Sequence, residues 1–133
     1  RRLISSGSVP NNASIVLVVR VGGHDVLLSG DIEPEAQAAI STDLTPYDFD
    51  VVKVPHHGSR YQHPLLTTWA PAPVALISVG EGNTYGHPSP DTITDWISHG
   101  ARVGRTDLQG DLAVVDEGSG LGVAARHGML PSS

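Results

Sequence analysis

The sequence predicts an α/β fold built on a mixed sheet. Three observations carry that expectation. Apolar runs of strand length alternate with helix-like segments, both ends of the chain read as hairpins, and glycines and prolines punctuate the junctions.

"SIVLVVRV" (14–21) is a nearly continuous apolar run, as expected of a strand covered on both faces. "GG" at 22–23 turns the chain into "HDVLLSG" (24–30), an antiparallel hairpin. "IEPEAQAAIS" (32–41) reads as a helix, with Pro34 suited to a first position, two glutamates in the first turn and alanines after them. "FDVVKV" (49–54) is a buried strand, and "HPLLTTWA" (63–70) a short helix with Leu65, Leu66 and Trp69 facing inward. "PVALISVG" (73–80) is a further strand, followed by the polar, glycine-rich loop "EGNTYGHPS" (81–89). "SPDTITDWISHG" (89–100) is the clearest helix. Ser89 is its N-cap, Ile93, Trp96 and Ile97 form its apolar stripe, and Gly100 closes it. "ARVGRT" (101–106) is a short strand, and 110–126 a closing hairpin turned at "EGSG". No element is expected before Ser14, and residues 1–13 and 127–133 are expected to fray.

The chain is the size of a single domain, 1–133, and its 39% hydrophobic and 17% charged residues suit a globular protein with its own core. No apolar run approaches the ~18 residues of a membrane span. The absence of cysteine excludes disulfides and thiolate metal sites. A net charge of −6 argues against a nucleic-acid binder held by a basic surface. An enzyme acting on phosphodiesters remains compatible, because a bound dication changes the local field.

The polar residues that look out of place stand just after strands. Asp31 ends "VLLSGD", His56 and His57 end "VVKVPHH", and His87 lies in the loop after "VALISVG". In α/β sheets, ligands bind outside the carboxyl ends of strands, so these loops are expected to converge. A carboxylate and neutral imidazoles are donors that zinc, manganese or iron takes. Each residue also has a plain reading: Asp31 as the cap of the following helix, His87 as a turn residue, the histidine pair as surface. Adjacent residues on a strand point to opposite faces, but Pro55 ends the ladder and lets the loop re-aim His56 and His57.

"LLSGDIE", "DVVKVPHHGS", "ALISVGEGNTYGHPSPDTITDW" and "VGRTDLQGDLAV", in that order, resemble the C-terminal metallo-β-lactamase-like domain of ComEC-type competence proteins, DNA-internalisation channels. The resemblance runs from Asn11 to Val115. It implies an αββα sandwich, of which this chain is mainly the second half. It further implies a divalent metal, zinc or manganese, with Asp31 and His57 as ligands and His56 as a less favoured one. The activity implied is hydrolysis of single-stranded DNA, degrading the non-transported strand through a metal-held hydroxide. His87 would contact phosphate or protonate the leaving oxygen. Gly58 and Ser59 would offer donors, Asn83 and Tyr85 would touch substrate, and Asn11 or Asn12 would face the metals. The family's H-x-[HD]-x-D-H signature is absent, so the chain alone is expected to bind metal weakly and to be inactive. The implied partners are DNA, the first half of the same domain and a membrane channel, with this domain soluble and extracytoplasmic. The rival readings are a non-catalytic DNA-binding or scaffolding module and a different metallo-phosphoesterase.

Overall fold

The computed structural model describes residues 7–43, 45–128 and 130. Strands β1 (Leu17–Val21), β2 (His24–Leu28), β3 (Val51–Lys53), β4 (Val74–Ile77) and β5 (Arg102–Arg105) form one sheet in that spatial order. β1 and β2 are antiparallel and the remaining pairs parallel, so the expected mixed sheet is present. Gly22 and Gly23, at φ 60° and 87°, make the two-residue turn whose left-handed backbone matches strand twist. Helices α2 (Pro34–Asp43), α3 (Leu66–Trp69) and α4 (Pro90–Ser98) lie in the crossovers between parallel strands. Strands β6 (Leu112–Asp116) and β7 (Leu121–Ala125) form a separate hairpin.

Strand alternation sorts the sheet into two faces. Leu27, Val52, Ala75 and Val103 stand in register across β2 to β5 and belong to one buried cluster with Trp69, Trp96 and Leu66. Each large apolar side chain buried there contributes roughly 1.5–3 kcal/mol. Lys53, Leu76 and Gly104 share the alternate row. A Cβ on Gly104 would meet Leu112 and Leu76 at 3.0 Å, so the hairpin crosses tightly at that point.

Several expectations change. β1 is exposed along its whole length, so its apolar run does not mark a strand covered on both faces. Leu65 and Ile97 are exposed, and Thr92 is buried with Trp96 on the inner side of α4. Ser89 occupies the N-cap position, but its side chain makes no capping bond. Ahead of Ser14 the chain forms one helical turn, α1 (Val9–Asn12). It is held because Glu33 accepts from the Ser8 backbone N–H (2.6 Å) and the Asn11 side chain (2.8 Å). A further turn, α5 (Thr106–Gln109), follows β5, and at the other end His127 N donates to the Gln109 carbonyl. The rest of the expected frayed ends, 1–6, 129 and 131–133, lies outside the described residues.

The two sheets are fastened at one end by His24. Its Nδ1 lies 3.4 Å from Asp50 and its Nε2 3.4 Å from Asp116. Asp50 and then Asp116 raise the imidazole's pKa, and only the doubly protonated ring can donate to both. A group raised on folding stabilises below its unfolded pKa, and that stabilisation is lost as pH climbs through the folded value. Thermal midpoints of wild type and His24→Gln are therefore expected to differ at about pH 6 and to converge above the raised pKa of His24. A gap that persists unchanged into alkaline solution would show that the contact is not ionic.

Candidate functional site

β2, β3 and β4 are adjacent and parallel, so the loops leaving their carboxyl ends emerge side by side. These loops carry Asp31, His56 with His57, and His87. The β3 exit is the least ordinary. Pro55–Gly58 form a 3₁₀ turn in which His56 (φ 48°, ψ 46°) and His57 (φ 54°, ψ 26°) are both left-handed, as is Gly58 (φ 75°). Left-handed backbone costs roughly 1–2 kcal/mol at each histidine. It is held in place by hydrogen bonds on both sides, His56 N to the Gly30 carbonyl (3.2 Å) and Ser59 N to the His56 carbonyl (2.9 Å).

This backbone aims the imidazoles at neighbouring loops. His57 Nδ1 donates to the Ser78 carbonyl at 2.6 Å, which leaves Nε2 unprotonated in the neutral ring. That Nε2 lies 3.5 Å from Asp31 Oδ1. Both side chains are about two-fifths exposed, at 42% and 40%, so an incoming ligand can reach them. Lys53 Nζ approaches the same carboxylate oxygen at 3.7 Å while donating to the Gly30 carbonyl at 3.0 Å. Burial lowers the Lys53 pKa, and Asp31 works against that by favouring the ammonium. Asp31 is therefore not the cap of α2; its carboxylate faces His57 and Lys53.

His56 turns the other way. Its Nδ1 is buried without a hydrogen-bond partner among the described residues, and a carboxylate oxygen of Glu33 is 3.8 Å off. Glu33 is held ionised, first by the Ser8 N–H and then by Asn11. The His87 ring lies 5.5 Å from that of His56, between centroids. Burial, then the neighbouring His56 and His57, push His87 below the ordinary histidine range and favour its neutral form. Asp31, His56, His57 and His87 thus come together in two pairs, Asp31 with His57 and His56 with His87.

Other expected residues sit differently. Ser59 is fully buried, its N–H is taken by His56, and its carbonyl accepts from Thr92 Oγ1 and Gln62 Nε2, both at 2.8 Å. It braces the loop and offers no donor to a substrate. Gly58 is buried, and its carbonyl accepts from Ser89 N at 2.8 Å. Asn83 uses its side-chain oxygen on the Tyr85 N–H, a local loop bond of 2.7 Å. Tyr85 is 85% exposed. Asn11 and Asn12 bond to Glu33 and Glu35. Sequence reasoning missed Glu33 beside His56, the Ser78 carbonyl, and Gln37. The last is buried in α2 and gathers Ile32, Gln62 and His63 by hydrogen bonds of 2.6–2.9 Å. Glu33 had a signal, a second acid two residues beyond Asp31; a backbone carbonyl has none.

The donor set fits two positions around a divalent ion. Two donors on a tetrahedral zinc stand roughly 3.3 Å apart, given bonds of ~2.0–2.1 Å, and Asp31 and His57 are 3.5 Å apart. The Ser78 carbonyl is the kind of outer acceptor that fixes a ligating histidine's tautomer. Among the described residues, no group of three or more His, Cys, Asp or Glu is placed to hold an ion.

No family model matches the chain. It is 35% identical over 104 residues to ComE operon protein 3 of Bacillus subtilis (strain 168), covering 77% of this chain and 13% of that protein. It is 32% identical over 104 residues to competence protein ComA of Neisseria gonorrhoeae, covering 77% and 15%. An uncharacterized Escherichia coli (strain K12) protein, YcaI, is 36% identical over 89 residues, covering 65% and 12%. The chain spans about an eighth of the length of these curated relatives. It is thus similar, over three quarters of its own length, to competence proteins.

A Cβ on Gly58 would meet Pro88 Cβ at 2.7 Å, whereas one on Gly82, also left-handed, would meet nothing within 4 Å. Gly82→Ala is expected to cost only the conformational ~1–2 kcal/mol. Gly58→Ala should cost a further ~1–3 kcal/mol for the crowding, read as urea midpoints. Equal costs would mean that Pro88 yields freely.

Proposed function

We propose that this chain carries part of a metal-dependent phosphodiesterase centre in a DNA-uptake protein, on a metallo-β-lactamase-like fold. The observation that carries the reading is the meeting of Asp31 Oδ1 and His57 Nε2 at 3.5 Å, with the other nitrogen of His57 committed to Ser78. Similarity to ComA, a competence protein by name, supports the biological setting. The substrate in this reading is single-stranded DNA, and the protein of which the chain is part sits at the cell membrane. No described helix is long and apolar enough to cross one.

Asp31 and His57 would hold the ion, which when bound supplies Lewis acidity at a phosphodiester oxygen. The chain's own residues set the conditions for it. The Ser78 carbonyl keeps the Nδ1 proton on His57 and so keeps Nε2 available as a donor. The Lys53 ammonium restrains the Asp31 carboxylate and offsets its charge until a cation arrives. His87, held neutral, offers a ring nitrogen to a phosphate oxygen from the neighbouring loop. The remaining ligands of the ion come from outside the described residues.

In the full-length protein, Asp31→Ala is expected to abolish zinc- or manganese-dependent cleavage of a single-stranded oligonucleotide. Wild-type turnover in that variant would remove Asp31 from the mechanism. Calorimetry on the chain itself should show only weak zinc binding, since two protein ligands fall short of the usual three or four. Sub-micromolar binding lost in His57→Ala would show instead that this chain completes a site. Metal-independent DNA binding without cleavage by the full-length protein would favour the non-catalytic module.

A further inference from the structure

The loop after the histidines and the loop after β4 are tied together. Ser89 N donates to the Gly58 carbonyl, and Thr92 Oγ1 to the Ser59 carbonyl, both at 2.8 Å. Between them they leave an open groove of about 580 Å³, a volume that suits one or two small ligand units. Arg60 and Tyr61 line it from the first loop, Tyr85 and His87 from the second, and Asp91 from the start of α4. His87 is also the neighbour of His56, at 5.5 Å between ring centroids, so one wall of the groove is shared with the histidine cluster.

Its walls have an unusual composition for solvent-facing surface. Tyr85 is 85% exposed and Tyr61 58% exposed, so two phenol rings stand in water within one concavity. The Tyr85 ring lies nearly parallel to His87, at 22° and 6.4 Å between centroids. The Arg60 guanidinium sits 4.9 Å above the Tyr61 ring and donates to its hydroxyl at 2.8 Å. Such a pair presents a flat aromatic face beside a bidentate cation. Flat faces take unstacked bases, and a guanidinium takes the phosphate between them. A duplex hides its base faces, so the fit is to a single strand. Asp91 also lines the groove, and its carboxylate would repel phosphate and favour a backbone nearer Arg60.

We propose that this groove is a base-stacking track that delivers single-stranded DNA to the histidine cluster, with Tyr61 and Tyr85 stacking bases and Arg60 holding one phosphate. The proposal rests on the phosphodiesterase reading for what the strand is delivered to, but the binding it describes needs no metal. With a chain of net charge −6 and one cation in the groove, stacking supplies most of the affinity. The salt dependence is accordingly shallow, a log–log slope of about −0.7 for one phosphate on a single strand.

The test is fluorescence anisotropy of the 133-residue chain in EDTA with a labelled thymidine decamer, an abasic decamer of the same phosphate count, and a duplex. The thymidine decamer is expected to bind most tightly. Tyr85→Ala and Tyr61→Ala should each weaken it about 5- to 150-fold, with Tyr85→Phe unchanged. Both rings are exposed, so these variants should keep the wild-type unfolding midpoint, which is checked alongside. Equal binding of the abasic strand, no loss in either alanine variant, or no binding at all overturns the track. Oligonucleotide binding that survives Asp31→Ala while cleavage by the full-length protein is absent throughout would sink the metal centre and leave the groove standing. Cleavage that persists in the double tyrosine variant with unchanged KM would sink the groove alone.

Discussion

Three consecutive left-handed residues, His56, His57 and Gly58, fix the geometry of everything at this end of the sheet. An extended continuation of β3 would have sent the two imidazoles to opposite faces. The left-handed turn instead brings His57 over the β4 exit to the Ser78 carbonyl and His56 back toward Glu33. The same turn drops Gly58 against Pro88, which anchors the 81–89 loop and with it His87. It then buries Ser59, whose carbonyl holds Thr92 and Gln62. A strained backbone of this kind persists only where its surroundings over-determine it, and each of its residues is held by a different element.

Those surroundings are asymmetric. The face of the sheet that carries Leu27, Val52, Ala75 and Val103 is closed by helices and forms the buried cluster. The alternate row carries Lys53, which reaches past the end of β2 to the Gly30 carbonyl and Asp31. The ionisable groups therefore gather at the strand exits, where the row that carries Lys53 ends beside Asp31 and His57. Desolvation there is partial, which is why Lys53 and His87 are shifted while the Asp31 and His57 side chains stay within reach of solvent.

Much of the sheet could be read from the chain because local chemistry and global role agree there. "GG" made a turn between β1 and β2, Pro34 and Pro90 began helices, and the apolar runs became strands. The reading failed where one-dimensional pattern and environment part company. The apolar run of β1 predicted burial, yet composition says nothing about which strand lies at a margin. Thr92 displaced Ile97 on the inner side of α4 because its hydroxyl has a carbonyl to meet, that of Ser59. The strand-end rule pointed to Asp31, the pair His56 and His57, and His87 as neighbours, and they meet as two pairs, Asp31 with His57 and His56 with His87. It did not point to Ser59 as a brace, since "HHGS" looks the same whether the serine faces a ligand or the core. Nor did it find the Arg60–Tyr61 pair, which no motif marked.

β1 has a strand on one side only among the described residues, and Leu17, Val18, Val19 and Val21 along it are 38–61% exposed. Its one charge, Arg20, is already engaged, with two bonds to Asp25 and one to Tyr47. Arg20 and then Tyr47 hold the Asp25 carboxyl down at about 2, so the engagement lasts across the usable pH range. A neutralised charge does not repel a second chain, and the outer backbone groups of β1 are a template for adding strands. Among the described residues this margin is thus the place where the sheet is open to extension by a further strand. The margin and the histidine site lie on different parts of one sheet, β1 at its outer strand and the site at the exits of β2, β3 and β4.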